Sequence, residues 1–253
     1  MKYYLIAGEA SGDLHGANLM GALKQIDPLA TFRVWGGDLM AEKGAELVSH
    51  YKDRSFMGFL EVAKNLPKIL GFLKFCKEDI QKHKPDVVVY IDNSGFNLRI
   101  APFVKKLGIP SVYYISPQVW ASRKGRVKTI LKSVDKMLVE LPFVKDFYKT
   151  YSPDFPVEFV GKTHPIEYFI AKRIVTLEYI SLVNLIWGDE LVKELIQDEF
   201  NPQNISQELK KILESTNAEK IKENYFLLKQ KLGGEGASKR AAKAIYSFLV
   251  EKN

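Results

Sequence analysis

Val87-Val88-Val89-Tyr90-Ile91-Asp92-Asn93-Ser94-Gly95-Phe96-Asn97 is the stretch on which the fold turns. Its first five residues are apolar without interruption, and four of them are β-branched. A run this short suits a strand better than a helix. The lack of polar alternation places it inside a sheet covered on both faces, as parallel strands are. The run stops at Asp92 and enters an Asn-Ser-Gly turn, after which Leu98–Lys106 takes up helical spacing.

Working outward, the same unit recurs. Strands are predicted at Tyr3–Ala7, Thr31–Trp35, Ser111–Ile115, Lys136–Val139 and Val157–Val160. Helices are predicted at His15–Gln25, Phe56–Lys82, Trp120–Ser133 and Pro142–Thr150. Strand–helix alternation of this kind gives an α/β fold, a doubly wound Rossmann-like parallel sheet with right-handed crossovers. After Gly161 the texture changes, and Phe169 to Asn253 reads as mostly helical. The expected division is therefore a Rossmann-like lobe over 1–161 and a helical segment over 162–253.

Composition narrows the functional classes. With 46% hydrophobic and 26% charged residues the chain is globular, and it is long enough to bury a sizeable core. Cys76 is the single cysteine, so no internal disulfide forms, which fits a reducing, cytoplasmic setting. Met1 to Ala7 reads as a strand rather than a signal peptide, and no apolar run is long enough to span a bilayer. The formal charge of +7 suits either a phosphate-bearing ligand or a solvated lysine-rich surface. Four scattered histidines, His15, His50, His83 and His164, lack metal-ligand spacing. G-x-G-x-x-G and G-x-S-x-G are absent as well, so the residues favour chemistry by positioned acids, bases and hydrogen bonds.

Four stretches stand where a doubly wound sheet binds ligands, or beside that place. Gly8-Glu9-Ala10-Ser11-Gly12-Asp13 follows the first strand. Its glycines would admit a ligand to the backbone, and Ser11 or Asp13 would serve equally well as a helix cap. Asp92 ends the decisive strand, where a carboxylate acts as a general base or, again, as a cap. Tyr113-Tyr114-Ile115-Ser116-Pro117-Gln118-Val119-Trp120 offers aromatic and amide groups for sugar recognition or for the core. Behind it, Arg123, Lys124, Arg126, Lys128 and Lys132 form a basic helix face that suits a phosphate contact or plain solvation. Finally, Phe56, Met57, Phe59, Leu60, Leu66, Leu70 and Leu73 form a broad apolar stripe edged by Lys64, Lys68, Lys74 and Lys77. Such a stripe packs in a core or lies in a membrane interface.

Taken in order, these blocks resemble the lipid-A-disaccharide synthase family. The resemblance rests on Ala7 to Asp13, Phe56 to Val62, Lys84-Pro85-Asp86 through Asp92, Gly95-Phe96-Asn97, Tyr114 to Trp120, Leu141-Pro142-Phe143, Asp146-Phe147-Tyr148 and Phe159-Val160-Gly161. It resumes at Ile170 to Arg173, Tyr179 to Leu185 and Glu194 to Gln197. Family members carry a second α/β domain between these two parts. Here Val160-Gly161 runs almost directly into Lys162-Thr163-His164-Pro165, so most of the nucleotide-sugar-binding domain is expected to be missing.

The resemblance implies a GT-B glycosyltransferase whose first lobe takes the acceptor. It implies UDP-2,3-diacylglucosamine and 2,3-diacylglucosamine 1-phosphate as substrates, joined with inversion and release of UDP; no cofactor is expected, and the residues suggest no metal site. Asp92 matches the family's essential acidic position and is expected to be the base. Glu9, Ser11, Gly12, Asp13, Asn97, Ser116, Gln118 and Trp120 are assigned to substrate binding, and Asn184, Glu194 and Gln197 to the donor side. The apolar stripe becomes a peripheral contact with the inner membrane, and the helical tail is expected to expose apolar surface suited to a homodimer. Two local departures bear on acceptor fit: Ser122-Arg123 replaces a second tryptophan, and Asn93-Ser94 replaces a bulkier pair. The alternatives carried forward are a non-catalytic acceptor- or lipid-binding module, a shortened gene product, and a nucleotide-binding oxidoreductase. Nucleic acid, suggested by charge alone, is not expected as a partner.

Overall fold

A computed structural model describes residues 1–54, 66–161, 181–195, 199, 201–233 and 236–252. Seven strands form one all-parallel sheet in the order β3-β2-β1-β4-β5-β6-β7. They are β1 (Lys2–Ala7), β2 (Thr31–Gly36), β3 (Glu46–His50), β4 (Val87–Ile91), β5 (Ser111–Tyr114), β6 (Lys136–Val139) and β7 (Val157–Phe159). The connecting helices are α1 (Ala10–Ile26), α2 (Asp38–Glu42), α3 (Leu66–His83), α4 (Ser94–Lys106), α5 (Arg126–Ser133) and α6 (Pro142–Lys149). After them come α7 (Leu182–Trp187), α8 (Pro202–Leu213), α9 (Ser215–Lys231) and α10 (Ala237–Lys252).

Strand residues divide between two cores with the period of two that a pleated strand imposes. Tyr4, Ile6, Val88 and Tyr90 point to the face covered by Leu73, Cys76 and Ile80 of α3, Ile100 and Val104 of α4, and Ile130 of α5. Tyr3, Leu5, Ala7, Val87, Val89 and Ile91 point to the other face, covered by α1 and α10. Both faces are dry, which is why the strands carry no polar alternation.

Two expectations are corrected by packing. Helix α1 starts at Ala10, not at His15, so Ser11, Gly12 and Asp13 belong to its first turn and the β1–α1 connection is only Gly8-Glu9. A Cβ on Gly12 would stand 3.1 Å from the Ala7 Cβ, so the glycine is what lets the helix start so close to its strand. Strand β3 was not anticipated. It is an edge strand, exposed or half-buried along its length, and Glu46, Ser49 and His50 hide its pattern.

The last helix returns to the first lobe. α10 lies on α1 through Ala241, Ala242, Ala244, Ile245 and Leu249, packed with Ala17, Leu19 and Met20. Alanines here let the two backbones approach closely. Arg240 Nε donates to the Val160 carbonyl at 2.6 Å, and Lys252 pairs with Asp135 at 3.5 Å. Residues 237–252 therefore share a core with residues 2–160. α7 and α9 join the opposite core through Ile186 and Leu228, and α8 buries no residue. On α8 and α9, Leu209, Leu213 and Phe226 are exposed, as expected of that part.

Candidate functional site

The strand order reverses its direction of growth between β1 and β4, so a crevice opens above their carboxyl ends. Three connections meet there: Gly8-Glu9 after β1, Asp92-Asn93 after β4, and Ile115 to Gly125 after β5.

The β4 turn is held in an unusual backbone. Asp92 and Asn93 have φ of 45° and 37°, both in the left-handed region, and Ile115 at the end of β5 has φ 63°. Such conformations cost non-glycine residues about 1–3 kcal/mol each and persist only where neighbours enforce them. Here the Asp92 carbonyl accepts from the Tyr113 hydroxyl and, at 2.8 Å, from Asn97 Nδ2. The Asn93 carbonyl accepts from the backbone N–H groups of Phe96 and Asn97. Burial, with the Asp92 charge beside it, pushes the Tyr113 phenol well above its ordinary range, so it stays a donor. This turn leaves the Asp92 side chain half-buried at the crevice.

The β1 wall is built differently. A Cβ on Gly8 would collide with the Asn93 side chain, so the two turns touch and only glycine fits. Asp13 is 3% exposed, and its carboxylate accepts from the backbone N–H groups of Gly37, Leu39 and Met40 at 2.8–3.1 Å. It caps α2, not its own helix. Asn97 is fully buried, and its Nδ2 also reaches the Ile6 and Ile91 carbonyls, clipping β1 to β4. Both residues, expected at the substrate, are instead buried and bonded to backbone groups of the fold. Glu9 is exposed and Ser11 half-buried beside them.

From β5, Ser116 is buried and Gln118 exposed. Trp120, expected in substrate binding, is 6% exposed and stands edge-on to Phe143 with ring centroids 5.0 Å apart. It is a core residue. Gln118 and Ser94 line a cleft of about 210 Å³ together with Ser122, Arg123 and Arg126. Arg126 reaches the Ser94 hydroxyl across it.

A residue that sequence reasoning passed over also closes on the crevice. The Arg54 guanidinium lies 4.8 Å from the Trp35 ring centroid and 5.7 Å from that of Phe96, and donates to the Ala7 carbonyl at 3.1 Å. Burial lowers it to about 10. No local pattern announces it, because its partners lie far away in sequence.

The remaining expectations separate by place. Asn184 is fully buried; its Oδ1 accepts from Leu191 and Val192, and its Nδ2 donates to the Val192 carbonyl and to Glu194 Oε1 at 2.9 Å. Asn184 and Glu194 thus tie the 189–194 loop to α7, and Gln197 lies outside the described residues. On α3, Leu70 is exposed beside Lys68 and Lys74, whereas Leu73 is buried in the core and cannot touch a membrane. Leu66 opens α3; Phe56, Met57, Phe59 and Leu60 lie outside the described residues. No described helix is long and apolar enough to cross a membrane. Among the described residues, no three His, Cys, Asp or Glu side chains gather as a metal site would need.

A family model for lipid-A-disaccharide synthetase matches residues 3–164 and 162–247. The chain belongs to that family. The synthase of Myxococcus xanthus (strain DK1622) is 47% identical over 148 residues, covering 58% of this chain and 39% of that protein. That of Idiomarina loihiensis (strain ATCC BAA-735 / DSM 15497 / L2-TR) is 45% identical over 165 residues, covering 65% and 42%. This lipid-A-disaccharide synthase family member thus spans about two fifths of the length of the curated relatives it matches. Among solved structures, the UDP-GlcNAc 2-epimerase of Methanocaldococcus jannaschii matches 64% of this chain and 47% of its own at 16% identity, with a TM-score of 0.49.

Proposed function

We propose that the crevice above β1 and β4 is the acceptor side of a lipid A glycosyltransferase, with Asp92 as its general base. The observation that carries this reading is the placement of Asp92. A carboxylate ends a central strand at the topological switch point, on a backbone held in the left-handed region by Tyr113 and Asn97. Family membership supports the substrates proposed: UDP-2,3-diacylglucosamine as donor and 2,3-diacylglucosamine 1-phosphate as acceptor. An acceptor hydroxyl gives its proton to Asp92 while its oxygen attacks the donor's anomeric carbon. The bond from that carbon to the phosphate oxygen breaks with inversion, and UDP leaves with the electron pair.

Docking would be peripheral, at the inner membrane. Leu70 and Phe75 are exposed on α3 among Lys68, Lys74 and Lys77, which suits a helix lying at a lipid surface with its ammonium groups toward phosphates. The exposed Leu209, Leu213 and Phe226 on α8 and α9 suit a homodimer contact.

A second reading is an acceptor-binding module without turnover. It is favoured by the two-fifths span, and by Asn184 and Glu194, whose side chains bond to their own loop and to each other. In this reading 181–195 is a remnant of the donor side.

One experiment separates them. UDP release is followed from UDP-2,3-diacylglucosamine with and without the lipid acceptor, for this chain and for Asp92→Ala. Acceptor-dependent release that falls at least ~100-fold in the variant supports the transferase. Acceptor binding without release supports the module, and release unchanged in Asp92→Ala removes Asp92 as base.

A further inference from the structure

We propose that the cleft between the β4–α4 and β5–α5 turns binds a phosphate monoester through the guanidinium groups of Arg123 and Arg126. Its polar lining is suited to donation: hydroxyls of Ser94 and Ser122, the amide of Gln118 and the two arginines, beside Pro117 and Val119 and with no carboxylate among the described lining residues. Its volume, about 210 Å³, is below that of a drug-sized pocket and matches a headgroup rather than an acylated sugar.

The electrostatics have the sign of a site awaiting an anion. Arg126 is half-buried, and its hydrogen-bond partner in the cleft is the neutral Ser94 hydroxyl. Burial lowers its proton affinity, and the nearby Arg123 and Arg99 charges lower it further. Positive charge is therefore concentrated at Arg126, next to a cleft with no carboxylate among its described lining residues. Crowding of that kind is unfavourable in the empty protein and becomes favourable when a dianion enters.

Helix direction adds to it. α4 begins at Ser94 and α5 at Arg126, so both present their N-terminal ends to the cleft. Sequences ordinarily place acids in a first turn, to meet the positive end of the helix dipole. Neither α4 nor α5 has one there, and α5 carries Arg126 and Lys128 instead. The guanidinium fork binds phosphate bidentately, which two lysines would not reproduce.

The inference rests on the reading of this crevice as the acceptor side. Ser94 lies two residues beyond Asp92, so a phosphate in the cleft would hold its sugar within reach of the carboxylate. The 1-phosphate of the acceptor is the group such a site would take, which makes Arg123 and Arg126 determinants of acceptor specificity.

The test is calorimetric titration of the full chain at ~150 mM salt with glucosamine 1-phosphate, glucosamine, inorganic phosphate and vesicles containing phosphatidylglycerol. Glucosamine 1-phosphate is expected to bind, glucosamine not, and inorganic phosphate to compete. Arg123→Gln with Arg126→Gln should weaken glucosamine 1-phosphate by roughly tenfold or more. Lys128→Gln with Lys132→Gln, exposed on the same helix outside the cleft, should change it less than about twofold. Arg126→Lys should recover only part of the loss, which separates the fork from mere charge. Unchanged melting temperatures establish that the variants fold. Equal losses in both double variants, or no binding by the parent chain, overturn the proposal. So does an arginine effect confined to vesicles, which would make the surface a lipid-headgroup contact. Phosphate binding that survives while acceptor-dependent UDP release fails would sink the transferase reading and leave this site standing.

Discussion

The two walls of the crevice treat their polar residues in opposite ways. On the β1 side Gly8, Gly12 and Asp13 are absorbed by the protein: Gly8 abuts Asn93, Gly12 seats α1 on β1, and Asp13 gives its carboxylate to three backbone N–H groups. On the β4–β5 side, guanidinium groups gather around a cleft that no described carboxylate lines. Position at a strand end is thus a poor guide to a ligand role by itself. What distinguishes a binding group is that the fold leaves part of its electrostatic demand unmet.

The largest test of that contrast is Asp13→Ala. It strips the buried N–H groups of Gly37 and Met40, and the partly buried one of Leu39, of their acceptor and should destabilise the fold by about 3 kcal/mol in urea denaturation. A loss under ~1 kcal/mol would mean that the β1 wall is not the rigid side.

Next comes Asp79, another carboxylate satisfied from within. It accepts from the Tyr4 hydroxyl at 2.6 Å and from Arg33 at 2.6 and 2.9 Å. Burial would raise its pKa, but the Arg33 and Tyr4 hydrogen bonds outweigh burial and hold it below the ordinary 3.8. The unfolded chain therefore binds the proton more readily, and stability rises with pH through that window. The contribution is complete above pH ~4–5 and is lost as pH falls below the unfolded value toward the folded one. Asp79→Asn should cost about 2 kcal/mol at neutral pH and flatten the acid limb of the stability curve. An unaltered acid limb would contradict the assignment.

Much of this was legible beforehand. β1, β4, β5 and β6 announce themselves because both faces are dry, and Asp92 announces itself because an apolar run ends on it. β3 was hidden by its edge position, where Glu46 and His50 face partial solvent. The helical reading of Ala10 to Asp13 was hidden by two glycines that usually signal a loop. Asn97 could be named but not understood, and Arg54 could not be named, since their partners lie far along the chain: Asn97 reaches Ile6, and Arg54 reaches Ala7 and Trp35. Trp120 looks like a sugar platform in sequence, yet Phe143 takes its ring into the core.

A smaller effect is expected at Gly12. Gly12→Ala brings a methyl to 3.1 Å from the Ala7 Cβ, which should cost about 1 kcal/mol by thermal denaturation. Stabilisation would show that α1 has room to move off its strand. Smallest of all should be Arg126→Gln. Removing one of several crowded cations should change stability by less than ~0.5 kcal/mol, with any change toward greater stability. A loss of 2 kcal/mol there would erase the difference between the walls.

The central claim is that the acceptor enters on the β4–β5 side of the switch point. Backbone hydrogen exchange with 2,3-diacylglucosamine 1-phosphate titrated into the chain tests it most directly. The account predicts added protection at residues 93–97 and 118–126, with α7 and the 189–194 loop unaffected. Protection confined to that loop, or spread evenly over the chain, would contradict it.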